Sequence, residues 1–194
     1  MRITGGTLRS RALVAPSGDR TRPTSDRVRE ALFGILASQG RVASANVLDL
    51  YAGTGGLAYE ALSRGADRAT LVDVGRDAVT AAKKNAAALG LEGRSLVIGS
   101  PVERATSAIL ARGPFELVLV DPPYADVASA LRALAALAAA GAFAADALVI
   151  LEHATRDLSV TLSLVPEAFT STDQRRYGDT SLLFLATTAK EQVG

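Results

Sequence analysis

The chain has no cysteine, no tryptophan and a single histidine, His153. The lack of cysteine excludes disulfides, thiolate metal sites and a cysteine nucleophile. One histidine leaves no room for a histidine-rich metal centre, and a Ser-His-Asp relay would have to rest on His153 alone. Long apolar runs are also missing. The longest stretch without a charge is 13 residues, 133–145, whereas a membrane-spanning helix needs about 18 or more. The N-terminus lacks the apolar core of a secretion signal, so a cytoplasmic location is expected. Lysine is scarce, at 3 residues against 18 arginines, so most of the positive charge sits on planar guanidinium forks.

What is present suits one folded domain. The chain has 194 residues, 48% hydrophobic and 21% charged, enough to bury a substantial core. Its net charge of +1 hides an asymmetry. Residues 1–29 carry seven arginines against Asp19 and Asp26, a local balance of +5, and the rest carries −4. A basic arm on a mildly acidic body is an electrostatic footprint for a polyanion, or simply a solvated surface.

The arm reads as a hairpin, Met1–Thr4 and Thr7–Val14, turning at Gly5-Gly6. Arg9 and Arg11 would then share one strand face. Pro16 to Pro23 is turn-rich. Thr24, Ser25 and Asp26 offer N-caps for an amphipathic helix reaching about Ser38. From Asn46 strands and helices alternate. Strands are predicted at Val47–Leu50, Ala69–Val72, Ser95–Ile98, Phe115–Val120 and Ala147–Leu151. The helices between them end near Arg64, Leu89, Ala111 and Ala140, and Asp77 is the expected cap of the second. Phe169–Arg176 and Thr180–Thr187 flank Tyr177-Gly178-Asp179 as an antiparallel hairpin. Continuous apolar strands suit a parallel sheet buried on both faces. The fold class is therefore α/β: a doubly wound, Rossmann-like, mostly parallel seven-stranded sheet, with its ligand at the carboxyl ends of the strands.

Asp49-Leu-Tyr51-Ala-Gly53-Thr54-Gly55-Gly56 lies where the first strand turns into a helix. Glycines there let the backbone approach a ligand, and the helix N-terminus offers free N–H groups. Gly53, Gly55 and Ala58 also satisfy a dinucleotide fingerprint. Asp49, however, is a poor neighbour for a pyrophosphate and a good one for a cation. Asp73 ends the second strand 20 residues after Gly53, where a carboxylate holds ribose hydroxyls. A cationic nucleoside without phosphate fits both acids, and S-adenosylmethionine is such a molecule.

Asp121-Pro122-Pro123-Tyr124 follows the fourth strand directly. Two prolines stiffen the turn and remove two N–H donors. The Asp121 carboxylate and the Pro122 carbonyl form an acceptor pair suited to an exocyclic or amide NH2 group. Tyr124 supplies a plane on which a base can stack. Two acceptors on the amine hydrogens orient its lone pair towards a methyl carbon, after which in-line transfer needs proximity and alignment.

Together these motifs resemble class I S-adenosylmethionine-dependent methyltransferases with a D/N-P-P-Y motif. Arg2 to Arg11, Arg22-Pro-Thr-Ser-Asp-Arg-Val-Arg-Glu-Ala-Leu-Phe33, Glu60 to Ala66 and Tyr177-Gly-Asp-Thr180 extend the likeness over nearly the whole chain. They resemble the bacterial 16S ribosomal RNA guanine-N2 methyltransferases of the D type. That resemblance implies methylation of one guanine N2 in the 16S rRNA of the small ribosomal subunit or an assembly intermediate, with S-adenosylhomocysteine as product. It implies Asp121, Pro122, Pro123 and Tyr124 as the catalytic motif. Asp49, Gly53 and Gly55 would line the methionine part of the cofactor and Asp73 would bind the ribose, with Tyr51, Thr54, Val74 and Asp121 also in the cofactor site. Ser100 stands where many relatives have an acid or amide near the adenine, so Pro101 and Val102 would share that contact through the backbone. Residues 1–22 would be an RNA arm on a catalytic domain of 23–194, with Arg2, Arg9, Arg11, Arg20, Arg22 and Arg27 on phosphate. A monomer without metal or membrane contact is expected.

Rival readings are a DNA adenine-N6 or protein glutamine methyltransferase, a non-catalytic ribosome-assembly factor of the same fold, and a nicotinamide oxidoreductase. The small size speaks against the first and the basic arm against the second. The intact Asp121–Tyr124 motif speaks against the assembly factor, and Asp49 against the oxidoreductase. His153 and Glu152 are read as bystanders at a strand end, and Arg175 and Arg176 as solvated.

Overall fold

Strand β1 (Asn46–Leu50) is buried at every position because helices cover both of its faces. The computed structural model describes residues 1–15 and 25–188. In it, β1 pairs in parallel with β2 (Arg68–Asp73) on one side and β4 (Phe115–Val120) on the other. Beyond β2 lies β3 (Ser95–Gly99), and beyond β4 lies β5 (Phe143–Ala154), both parallel. The antiparallel pair β6 (Phe169–Tyr177) and β7 (Thr180–Thr187) closes the sheet in the order β3-β2-β1-β4-β5-β7-β6. The order reverses between β1 and β4, which opens a crevice at their carboxyl ends.

Alternating side chains build two cores, one per face. On one face Val47, Leu71 and Ile150 pack with residues of helices α1 (Asp26–Ser38), α2 (Gly56–Ser63) and α3 (Arg76–Leu89). On the other, Leu48, Leu50 and Val118 pack with α4 (Val102–Leu110) and α5 (Val127–Ala139). Ser25 caps α1 by accepting from the Val28 N–H at 3.3 Å. Thr24 lies outside the described residues.

The structure departs from the sequence reading in four places. Asp77 sits inside the first turn of α3, whose N-cap is Gly75, so it faces the helix dipole rather than capping it. Strand β5 runs on through Glu152 and His153 to Ala154, because β7 pairs with it as far as Thr180. A short helix α6 (Leu158–Ser163) follows that was not predicted, its six residues being too few for a periodic pattern.

The fourth departure is the N-terminal hairpin, which does not turn at Gly5-Gly6. Ile3 N–H donates to the Arg11 carbonyl at 3.0 Å and Leu13 N–H to the Met1 carbonyl at 3.1 Å, closing a broader loop. Arg2 and Ala12 form an isolated bridge. Arg9 lies in this turn, so the shared strand face with Arg11 does not form. The glycines serve a docking contact instead. A Cβ on Gly6 would overlap the Ser63 carbonyl at the end of α2, and one on Gly5 would overlap the Arg64 guanidinium. Ile3 and Leu13 are buried in the same core as α1 and α2.

Candidate active site

The crevice is built from the ends of β1, β2 and β4. Asp49 projects from β1 towards α2 and is 1% exposed. Its Oδ2 accepts from the Ala58 N–H at 3.0 Å, while Oδ1 has no partner among the described residues. Burial raises its pKa well above the carboxylate range. The Ala58 N–H opposes that shift, and the nearby Asp121 and Asp73 add to it. A buried acid with one oxygen unserved suits a cationic ligand.

The loop after β1 holds Tyr51, Gly53 and Gly55 at φ of 63°, 55° and 82°. The two glycines have different reasons. A Cβ on Gly53 would meet nothing within 4 Å, so its left-handed conformation is what requires glycine. A Cβ on Gly55 would overlap the Tyr59 ring, so that glycine makes room for its own helix. Tyr59 is buried and donates its hydroxyl to the Ala82 carbonyl at 2.7 Å.

Asp73 joins two loops. Its Oδ2 accepts from the Gly53 N–H and its Oδ1 from the Gly75 N–H, both at 2.7 Å. Each oxygen keeps a further lone pair, which a ribose hydroxyl can use. The cleft beside it, of about 250 Å³, is lined by Tyr51, Asp73, Val74, Ser100, Pro101 and Val102, all of them predicted. Val72, Glu103, Asp126 and Ser129 complete the wall and were missed. Glu103 and Asp126 had a signal, since each lies within three residues of a named motif, Pro101 or Pro123. Burial pushes the Tyr51 phenol up, with Glu103 and Asp126 adding to the shift. Val74 is 69% exposed, an apolar side chain left at the rim.

Asp121 follows β4 directly, and its N–H donates to the Leu50 carbonyl at 3.3 Å, which ties it to the end of β1. Pro122 is buried and Pro123 exposed. Tyr124 begins a single 3₁₀ turn, Tyr124–Asp126, and its hydroxyl shares a hydrogen bond with the Thr180 hydroxyl at 2.8 Å. Thr54, within the loop, accepts at its carbonyl from Asn85 Nδ2 at 3.0 Å.

The arm lies against this machinery. Asn85, buried on α3, also accepts from the Val14 N–H at 2.7 Å and donates to the Val14 carbonyl at 3.1 Å. Glu60, fully buried on α2, accepts from the Thr4 N–H and hydroxyl, the Gly5 N–H, and the Arg64 and Arg29 side chains, at 2.7 to 3.3 Å. Arg29 is itself buried, pairs with Asp26 at 2.8 Å and donates to the Arg2 carbonyl. Sequence reasoning counted Arg29 in the basic arm, yet its charge is spent inside. Arg2, Arg9, Arg11 and Arg27 are exposed. Arg2 reaches the Ser10 carbonyl at 3.0 Å, and Arg11 the Ala88 carbonyl at 2.6 Å. Arg20 and Arg22 lie outside the described residues.

His153 is fully buried, with Nδ1 at 2.9 Å from the Ala154 carbonyl and Nε2 unpartnered among the described residues. Burial depresses its pKa. Arg175 is paired with Asp173 at 2.8 Å. Among the described residues no cluster of acids and histidine could hold a metal ion, and no helix is long and apolar enough to cross a membrane.

A doubly wound sheet of this strand order, with a glycine loop after β1, an acid ending β2 and D-P-P-Y after β4, defines a class I methyltransferase. The comparisons agree and narrow the assignment. The chain belongs to the family described as conserved hypothetical protein 95, whose model matches residues 1–186. It is 42% identical over 125 residues to ribosomal RNA small subunit methyltransferase D of Escherichia coli K12, an alignment covering 64% of this chain and 60% of that protein. It is 38% identical over 125 residues to YlbH of Bacillus subtilis, covering 64% and 67%. Among solved structures, yhhF from Escherichia coli superposes with a TM-score of 0.82 at 32% identity, covering 98% of this chain and 99% of that one.

Proposed function

We propose that this methyltransferase moves a methyl group from S-adenosylmethionine to the exocyclic N2 amine of one guanine in small-subunit ribosomal RNA. The observation that carries the reading is the pairing of two acids at the switch point. Asp49 keeps a buried oxygen without a partner among the described residues, and Asp121, just before two prolines at the end of the neighbouring strand, is close enough to act on it electrostatically. The residues fit the cofactor. Asp49 Oδ1 suits its positive charge, Asp73 its ribose hydroxyls, and Val74 with Pro101 an apolar base. When bound, the cofactor supplies a methyl group on a sulfonium, an electrophile that needs no metal.

The chain's own residues do the aiming. The Asp121 carboxylate and the Pro122 carbonyl accept from the two amine hydrogens, which turns the nitrogen lone pair towards the cleft. Asp121 can take the proton that the amine sheds, or pass it to water. Tyr124 gives the base a stacking face. The guanine must leave its stack to reach this position. Arg2, Arg9, Arg11 and Arg27, all exposed, would add phosphate affinity that weakens with salt. The names carried by the relatives, methyltransferases of small-subunit ribosomal RNA, support the acceptor class.

The test is transfer from labelled S-adenosylmethionine to small subunits from a strain lacking the activity, followed by nuclease digestion. N2-methylguanosine at one site is expected. Asp121→Ala should lose transfer and keep cofactor binding. Label on DNA or on protein instead, or none at all, would overturn the assignment.

A further inference from the structure

Tyr124 lies in the turn that follows β4, yet its hydroxyl is held by Thr180 at the start of β7. Strand β5 lies between them in the sheet. The side chain therefore reaches across the carboxyl end of β5, towards a strand about 10 Å away at the usual spacing. Only the phenolic oxygen makes the bond, so phenylalanine would keep the ring and lose the anchor.

The anchor is built to stay still. Thr180 is buried and faces both Ala154 and Tyr177 in the last rung of the sheet. The turn before it is fastened by Thr155. The Thr155 N–H donates to the Asp179 carbonyl at 2.8 Å and its hydroxyl to the Gly178 carbonyl at 2.9 Å. The same hydroxyl meets Ser181 Oγ at 2.9 Å. At the other end, Tyr124 emerges from the two-proline turn, where the Asp126 N–H closes on the Pro123 carbonyl at 2.7 Å. The ring is thus fixed at its backbone and at its tip. A half-exposed tyrosine without a tip anchor hops between rotamers, and ordering it costs free energy when a ligand stacks on it.

We propose that Thr180 is a positioning residue for the acceptor: the C-terminal hairpin, fastened by Thr155, locks the Tyr124 ring as a ready-made stacking face for the target base. This rests on the reading of Tyr124 as the surface that receives the base. It gives the antiparallel end of the sheet a part in acceptor recognition, and leaves the cofactor side untouched.

The full-length chain carries the test, with small ribosomal subunits as acceptor. Four variants are compared: Thr180→Val, Tyr124→Phe, the double variant and Thr180→Ser. Losing a single neutral hydrogen bond should lower kcat/KM for the acceptor about five- to tenfold in each of the first two. Cofactor affinity, read by calorimetry, should stay at the wild-type value. The double variant should be no worse than either single one, because both break one bond. Thr180→Ser should restore most of the rate, since it returns the hydroxyl. A bond that only braces the fold would lower the melting temperature of Thr180→Val and leave kcat/KM per folded molecule unchanged, which overturns the proposal. Additive losses in the double variant overturn it as well. Wild-type protein that transfers nothing to subunits overturns the functional reading, and this proposal with it. Normal wild-type transfer with an unimpaired Thr180→Val removes the positioning role alone.

Discussion

Two buried carboxylates, Asp49 and Glu60, flank the start of one helix and live in opposite circumstances. Both are at most 1% exposed. Glu60 accepts from five donors on three segments, two of them guanidinium groups. Asp49 accepts from one backbone N–H and keeps an oxygen without a partner among the described residues. Burying a charge is costly unless donors surround it. Glu60 has its donors inside the chain, so it is architecture and ties the arm to α2. Asp49 lacks them among the described residues, so burial favours its protonated form and one oxygen stays available to a ligand. Burial alone did not separate the two roles; the count of satisfied oxygens did.

The largest expected effect breaks the comparison on the Glu60 side. Glu60→Ala leaves the Arg29 guanidinium buried with less compensation and frees the Thr4 and Gly5 donors. Unfolding in denaturant should show a loss of about 3–5 kcal/mol, as for other broken buried pairs. A loss near zero would mean that Glu60 is not the tie described here.

On the Asp49 side the expected effect is on binding rather than on folding. Asp49→Asn should weaken S-adenosylmethionine about 10- to 100-fold by calorimetry, the cost of one charge-assisted contact. Its stability should not fall at neutral pH. The sign follows from the raised pKa of native Asp49. The native protein keeps a proton that the unfolded chain has already released, so this group's contribution is full below the unfolded value and is lost as pH rises through the native one. The asparagine variant has no such loss and should gain on wild type over that window. Cofactor affinity should rise with pH over the same window in wild type and lose that rise in the variant.

His153 repeats the Asp49 pattern in a base, with one ring nitrogen served and one not among the described residues. Its native pKa is depressed by burial. The unfolded chain protonates first, so its contribution is present above about pH 6.5 and is lost as pH falls through the native value. His153→Asn should flatten that acid limb of a melting curve series. The effect is the smallest of the three, because one proton bounds the slope.

The parallel half of the fold was legible because buried strands and amphipathic helices write a local pattern. β4 falls at its predicted residues, and six of the cleft residues were named in advance. What stayed hidden depends on contacts distant in sequence. Glycines 5 and 6 looked like a turn because the groups they dock against, Arg64 and Ser63, lie far along the chain. Glu60 looked like part of a motif, and nothing local reveals that Thr4 and Arg29 meet on it. Asn85 gave no signal, although it joins Val14 to the loop residue Thr54. The same contacts bear on how the arm should be probed. Removing residues 1–14 would strip hydrogen-bond partners from Glu60 and Asn85 as well as the exposed arginines. Arg9→Ala, at an exposed turn position, is the cleaner change and should lower RNA affinity and its salt dependence together.

The placement of the tyrosines gives this molecule an optical property. With no tryptophan to dominate the emission, its fluorescence comes from four tyrosines. Tyr51 lines the cleft beside Asp73, Tyr124 follows the two prolines, and Tyr59 lies beneath the loop. Three of the four tyrosines therefore lie in or next to the crevice. Occupancy of the cleft and stacking on Tyr124 should each change it, so binding can be followed on the unlabelled protein.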